Sequence, residues 1–293
     1  MTMWELHPPE HVVNVASVPQ RSPFRYPGGK TWLIPRVRAW LRSQPHTPSR
    51  LVEPFAGGAI VGLTAAFEGL VEHVVLVELD EQVAAVWSTV LGGNAEWLAN
   101  RILSFDMTLD NARNTLSATN GGVREQAFRT ILKNRTYHGG ILAPGASFIK
   151  HGENGKGLHS RWYAQTLAKR ITAIGEIRDR ITFICGDGLE VMEEHARGER
   201  VVFFIDPPYT AGGPNGKRAG TRLYNHYELD HEGLFQTASR MAGDVLLTYD
   251  NTADVRELAA LHSFQTACVA MKNTHHAKMT ELLIGRDLSW LQI

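Results

Sequence analysis

Apolar residues along this chain fall into short unbroken runs, separated by longer stretches with helical periodicity. Val201-Val202-Phe203-Phe204-Ile205 is the clearest run, apolar at five consecutive positions. A strand covered on both faces has that pattern, whereas a strand with one wet face alternates. Similar runs occur at 50–55, 73–78, 181–185, 245–249 and 264–270, with a short closing one at 281–284. Stretches at 31–41, 59–68, 81–91, 125–137 and 160–178 read as helices. In the last of these, Ala164, Leu167, Ala168, Ile171 and Ile174 share one helix face. Strand, glycine turn, helix, strand over 50–78 is a βαβ unit. It predicts an α/β fold with a parallel sheet and helices on both faces.

The same pattern divides the chain. Residues 1–22 carry scattered apolar positions and three prolines, which predicts an extended arm. Strands and helices alternate over 23–91 and again over 179–293, so these two segments are expected to form one sheet domain. Between them, over 92–178, helical stretches dominate. A glycine-rich stretch at 139–157 carries Lys150, His151 and Lys156. This predicts an inserted, mostly helical module with a mobile loop.

A length of 293 residues suits one large α/β domain with an insertion. A hydrophobic fraction of 43% and a charged fraction of 20% exclude a disordered or fibrous chain. No apolar stretch approaches the roughly 20 residues a membrane span requires. The N-terminus lacks the basic-then-apolar order of a secretory signal, so a cytoplasmic protein is expected. Cys185 and Cys268 lie in apolar, strand-like contexts and read as reduced core residues. The formal net charge is +0, which excludes a basic footprint over the whole surface. Basic clusters at 133–135, 150–161 and 217–222 allow a local basic cleft, and solvated helix faces explain them equally well.

The chemistry concentrates at strand ends. Asp206-Pro207-Pro208-Tyr209 follows the 201–205 run directly, and two prolines cannot continue a ladder. The chain must leave the sheet there in a stiff loop, at the edge where open α/β sheets bind ligands. Asp before Pro is also a common turn starter. An acid, a fixed carbonyl and an aromatic ring together nevertheless suit the grip of a planar, amino-bearing base. Gly57 and Gly58 follow the first strand, either for tightness or to let the backbone approach a ligand. Glu78 ends the second strand about 20 residues later, where an acid can accept hydrogen bonds from a ribose diol. A complete G-x-G-x-x-G arrangement is missing, which argues against a nicotinamide cofactor. Asp187 follows the 181–185 strand, placed either to cap a helix or to accept from a cofactor's base. His275-His276 lacks a supporting ligand array, so no metal is expected.

Together these residues resemble the DNA adenine-N6 methyltransferases of the adenine-methylase family, in its alpha motif order, over roughly residues 24–285. Tyr26-Pro27-Gly28-Gly29-Lys30 is similar to the family's N-terminal cofactor motif. Glu53-Pro54-Phe55-Ala56-Gly57-Gly58 is similar to its glycine motif, although Ala59 stands where the family usually has a further glycine. Glu78 falls at its ribose-binding acid. Asn134-Arg135, followed by Tyr137-His138-Gly139-Gly140, resembles a segment of its DNA-recognition insertion. Asp206-Pro207-Pro208-Tyr209 matches its catalytic signature, and Glu281-Leu282-Leu283-Ile284 its closing strand.

The resemblance implies a Rossmann-like methyltransferase that uses S-adenosylmethionine on double-stranded DNA, in DNA methylation of the restriction-modification kind. The protein is then expected to be a monomer or weak dimer. Asp206, Pro207 and Tyr209 would be catalytic, acting on an adenine flipped out of the duplex. Tyr26, Lys30, Phe55, Gly57, Gly58, Glu78, Asp187 and Asp206 would hold the cofactor. Asn134, Arg135, Tyr137 and Lys150 would meet DNA, with 92–178 as the target-recognition domain. Methylation of cytosine N4, RNA adenine or a protein amide is the alternative chemistry. Aspartate at 206 leans toward adenine, and the insertion leans toward DNA. A DNA-binding regulator that keeps the fold without the chemistry is the alternative class, with Ala59 as its footing.

Overall fold

A computed structural model describes residues 17–25, 28–150, 155–208, 229–272 and 278–292 of the chain. After a 3-10 turn at Lys30–Leu33, α1 spans Ile34–Ser43. The first βαβ unit follows as β1 (Arg50–Glu53), α2 (Ile60–Glu68) and β2 (His73–Glu78). The 50–55 run ends as a strand at Glu53 because Pro54 has no N–H to extend the ladder. α3 spans Glu81–Thr89, with the Asp80 carboxylate accepting from the Gln82 and Val83 amides as its cap. It is shorter than its periodicity predicts, because the chain passes into a π turn at Val90–Asn94 through Gly92 and Gly93.

Helices α4 (Ala95–Leu103), α5 (Leu109–Ser117), α6 (Gly122–Thr136) and α7 (Ala164–Glu176) occupy most of the stretch before the sheet resumes. β3 (Ile181–Cys185), α8 (Gly188–His195) and β4 (Val201–Ile205) restore the alternation. α9 (His231–Arg240), β5 (Val245–Asp250), α10 (Ala253–Leu261), β6 (Gln265–Lys272) and β7 (Lys278–Gly285) complete it.

The strands form a seven-stranded sheet in the order β3-β2-β1-β4-β5-β7-β6. Neighbours from β3 to β5 are parallel, and β7 runs antiparallel between β5 and β6. The period of two along a strand splits the side chains between two cores. Leu51, Leu76, Val202, Phe204, Leu246 and Leu283 face one, which α1, α2 and α3 cover. Val52, Val77, Phe203, Ile205, Leu247 and Leu282 face the other, under α8, α9 and α10. The apolar stripes of α4, α6 and α7 merge into the first core through Leu98, Phe128, Ile131 and Ile171. Among the described residues, no helix is long and apolar enough to cross a membrane.

Candidate active site

The strand order places a crevice. From β1 the chain moves outward through β2 to β3, and from β4 it moves the opposite way to β5. β1 and β4 are therefore adjacent at the reversal, and a cleft opens beyond their C-terminal ends. Glu53 closes β1, and Asp206 is the first residue past β4. Residues two apart share a face, so Glu53 follows Leu51, Glu78 follows Leu76, and Thr248 and Asp250 follow Leu246. Glu281 pairs directly with Asp250 across the antiparallel β5–β7 ladder. Acids from four strand ends thus gather over one face of the sheet, beside α1 and α2.

Lys30 lies among them, 3% exposed. Its Nζ stands 2.8 Å from Asp206 Oδ1 and 3.6 Å from Glu281 Oε2, and donates to Gly28 O at 2.9 Å. Burial is the largest influence on this ammonium and lowers its pKa, yet Asp206 and Glu281 together raise it above the ordinary lysine value. Thr248 Oγ1 donates to Asp206 Oδ1 at 2.7 Å. Lys30 and Thr248 thus hold the Asp206 side chain between them. Glu53 is different. It is 3% exposed, accepts from the Gly62 amide at 2.8 Å, and burial pushes its pKa to about 8. Burial likewise lifts Glu281 to about 7 and raises Asp250, so one ammonium sits among acids of unequal charge.

Across the cleft, Glu78 organises the glycine turn. Its Oε2 accepts from the Gly57 amide at 2.8 Å and its Oε1 from the Asp80 amide at 2.9 Å. Burial raises its pKa to about 7. Each carboxylate oxygen keeps a second lone pair, so hydroxyl donors from a ribose would relieve the cost of burying this charge. The donor set fits an adenosine-type group. Gly57 has φ 47, and Trp87 Nε1 donates to its carbonyl at 2.9 Å. Gly58 is half-buried in the same turn, and Phe55 packs on the second core. Leu79, absent from the sequence reading, is 46% exposed beside Glu78 and offers an apolar platform there. An apolar residue immediately after the strand-end acid was the signal for it.

Ala59 has φ 51, the left-handed region that favours glycine, which explains why a glycine would suit this position. It is 2% exposed and belongs to the first core, so its methyl group is turned away from solvent. Asp187 accepts from the Leu189 amide at 2.7 Å and caps α8.

Asn134 and Arg135, expected at a nucleic-acid surface, are instead buried, at 0% and 5% exposure. Asn134 Oδ1 accepts from the Arg25 amide at 2.8 Å, and its Nδ2 donates to Arg25 O at 3.0 Å and Gly140 O at 2.7 Å. Arg135 donates to Pro23 O, and Arg170 to Ser22 O at 3.1 Å. The end of α6 and α7 thus grip the segment 22–25, just upstream of Lys30. Position in α6 signals this: Asn134 lies three and seven residues beyond Ile131 and Ala127, on the buried stripe. Tyr137 is half-buried, with its ring 4.8 Å from that of Phe148, and Lys150 is exposed nearby. A separate cavity of about 380 Å³ between α3, α5 and α6 is lined by Gln82, Gln126, Arg129, Lys133 and Tyr137. Tyr26, Tyr209 and His275-His276 lie outside the described residues.

Comparison with known proteins bears on this geometry. Residues 26–268 match the family model described as D12 class N6 adenine-specific DNA methyltransferase. No curated protein matches the chain. Faint structural likenesses include PH1948 from Pyrococcus horikoshii, provisionally assigned as an RNA methyltransferase. It has a TM-score of 0.41 and 11% identity, covering 92% of each chain. The rRNA methyltransferase aviRa from Streptomyces viridochromogenes has a TM-score of 0.39 and 13% identity, covering 89% of this chain and 87% of its own. A precorrin-6y C5,15-methyltransferase from Geobacter metallireducens has a TM-score of 0.36 and 12% identity, covering 87% and 86%.

Proposed function

The chain belongs to the D12 class N6 adenine-specific DNA methyltransferase family, and from that premise we propose that it methylates N6 of an adenine flipped out of duplex DNA. The observation that carries the reading is Asp206. Its side chain stands at the β1–β4 reversal, fixed by Lys30 and Thr248, and a proline pair follows it. The Gly57-Gly58 turn, Glu78, Phe55 and Leu79 would hold S-adenosylmethionine, which when bound would supply an electrophilic sulfonium methyl.

The exocyclic amine of adenine is a weak nucleophile, because its lone pair is delocalised into the ring. Asp206 and the Pro207 carbonyl accept the two amine hydrogens, which favours a pyramidal nitrogen with its lone pair directed at the methyl carbon. A charge-assisted acceptor held in advance needs no rearrangement as positive charge develops on nitrogen. The new N–C bond would form as the donor's S–CH3 bond breaks and a neutral thioether leaves; the nitrogen would then shed one proton, with Asp206 as its acceptor.

The base must leave the duplex, at a cost of about a few kcal/mol. Stacking on Tyr209 returns roughly 1–3 kcal/mol, and backbone contacts supply the remainder. Lys150 and Tyr137 are the proposed DNA contacts. Asn134 and Arg135 serve DNA indirectly, by fixing the segment that leads to Lys30. Asp206→Ala should abolish transfer of labelled methyl to unmethylated DNA, and full activity in that variant would refute the role. Tyr209→Phe or Trp should retain activity that Tyr209→Ala loses; equal activity in all three would remove the stacking step.

A further inference from the structure

The structure joins two sequence motifs: the lysine that ends the 26–30 motif and the acid that opens the closing-strand motif. Resting on the reading above, we propose that Lys30 is a positioning residue for Asp206 rather than a contact to the methyl donor, and that Glu281 anchors Lys30.

The ammonium's three hydrogens have three acceptors at hand: Asp206 Oδ1 at 2.8 Å, Gly28 O at 2.9 Å and Glu281 Oε2 at 3.6 Å. Burial to 3% exposure keeps solvent from competing. Glu281, 5% exposed, lies opposite Asp250 in the β5–β7 ladder, an expensive place for a carboxylate without a cation. Lys30 is that cation. A 3-10 turn packed beside α2 carries it, while β7 carries its anchor, so two distant parts of the chain set the direction of the Asp206 carboxylate.

Titratable groups face the pair from several elements: Asp206 after β4, Asp250 on β5, Glu53 on β1 and Tyr249 on β5. Lys30 brings a positive charge 2.8 Å from Asp206 Oδ1, and Glu281 brings an acid to the same ammonium at 3.6 Å. The two therefore act on Asp206 with opposite signs, a property that mere packing does not have.

The test uses the full-length protein with whichever nucleic acid the wild type methylates, at saturating donor and substrate. In Lys30→Met the acid limb of the kcat profile should move to higher pH, with kcat reduced more than tenfold. In Glu281→Gln, whose amide oxygen still accepts from Lys30, the limb should move to lower pH and most activity should survive. Donor affinity by calorimetry should stay within about twofold of wild type in both. Limbs that stay in place in both variants overturn the assignment, whether or not donor affinity changes. A tenfold loss of donor affinity in Lys30→Met also overturns it. If Lys30→Met does not fold, the direction of the Glu281→Gln limb and its donor affinity decide. Should the wild type place its methyl on RNA or cytosine, the DNA-adenine reading fails while these limbs still judge the lysine.

Discussion

Replacing Asn134 with alanine separates a clamp from a DNA contact. The substitution removes the hydrogen bonds Asn134 makes with the Arg25 amide, Arg25 O and Gly140 O. A buried polar group left unsatisfied costs about 1–3 kcal/mol, with the lower end suited to half-buried Arg25 and the middle to buried Gly140. Alanine's better helix propensity returns about 0.6 kcal/mol, for a net loss of about 3 kcal/mol. At roughly 2–4 °C per kcal/mol for a domain of this size, melting should fall by about 6–12 °C. Hydrogen exchange at the Arg25 amide should accelerate, because that amide loses its acceptor. Affinity for duplex DNA, measured by anisotropy at a temperature where the variant is folded, should stay within about twofold, while kcat falls as Lys30 loses its fixed approach. A melting point unchanged from wild type, with a tenfold loss of DNA affinity, would refute the reasoning and return Asn134 to the DNA surface.

Ala59 offers a second test. Because its methyl faces the core, Ala59→Gly should leave donor affinity within about twofold; a tenfold gain would mean the methyl crowds the donor. Ala59→Val places a β-branched residue at φ 51 and should destabilise by about 2 kcal/mol or more in chemical denaturation. Equal stability of the two variants would contradict the left-handed geometry. Stability should also fall with rising pH. Burial raises Glu53 from 4.5 to about 8, so the folded state holds its proton between those values while the unfolded chain releases it. The stabilisation is complete below about pH 4.5 and is lost as pH rises through about 8; Glu78 and Glu281, each at about 7, act with the same sign. Glu53→Gln keeps an acceptor for the Gly62 amide and should flatten the fall between pH 6 and 9 by on the order of 2–3 kcal/mol. An unchanged slope in urea denaturation would show that Glu53 is not the source.

The strands were legible because a strand buried on both faces leaves an unbroken apolar record. β2, β3 and β4 fall on their runs residue for residue. Helix ends were less legible, since they depend on local breaks. Gly92-Gly93 diverts the end of α3, and α7 begins at Ala164, after a 3-10 turn at Gly157–Ser160. The acids at 53, 78 and 206 could be placed at one sheet edge from strand ends alone. That Lys30 pairs with Glu281 could not, because 251 positions separate them and only the sheet order joins them. Asn134 was assigned to DNA by resemblance alone; its burial becomes legible only when the buried stripe of α6 through Ala127 and Ile131 is followed to it.

The most direct measurement is the identity of the methylated nucleoside. Wild-type protein and Asp206→Ala are incubated with methyl-labelled S-adenosylmethionine and unmethylated duplex DNA, and the digested nucleosides are resolved by mass spectrometry. The account predicts label in N6-methyladenine with the wild type and none with the variant. Label in N4-methylcytosine, or undiminished N6-methyladenine from Asp206→Ala, would contradict it.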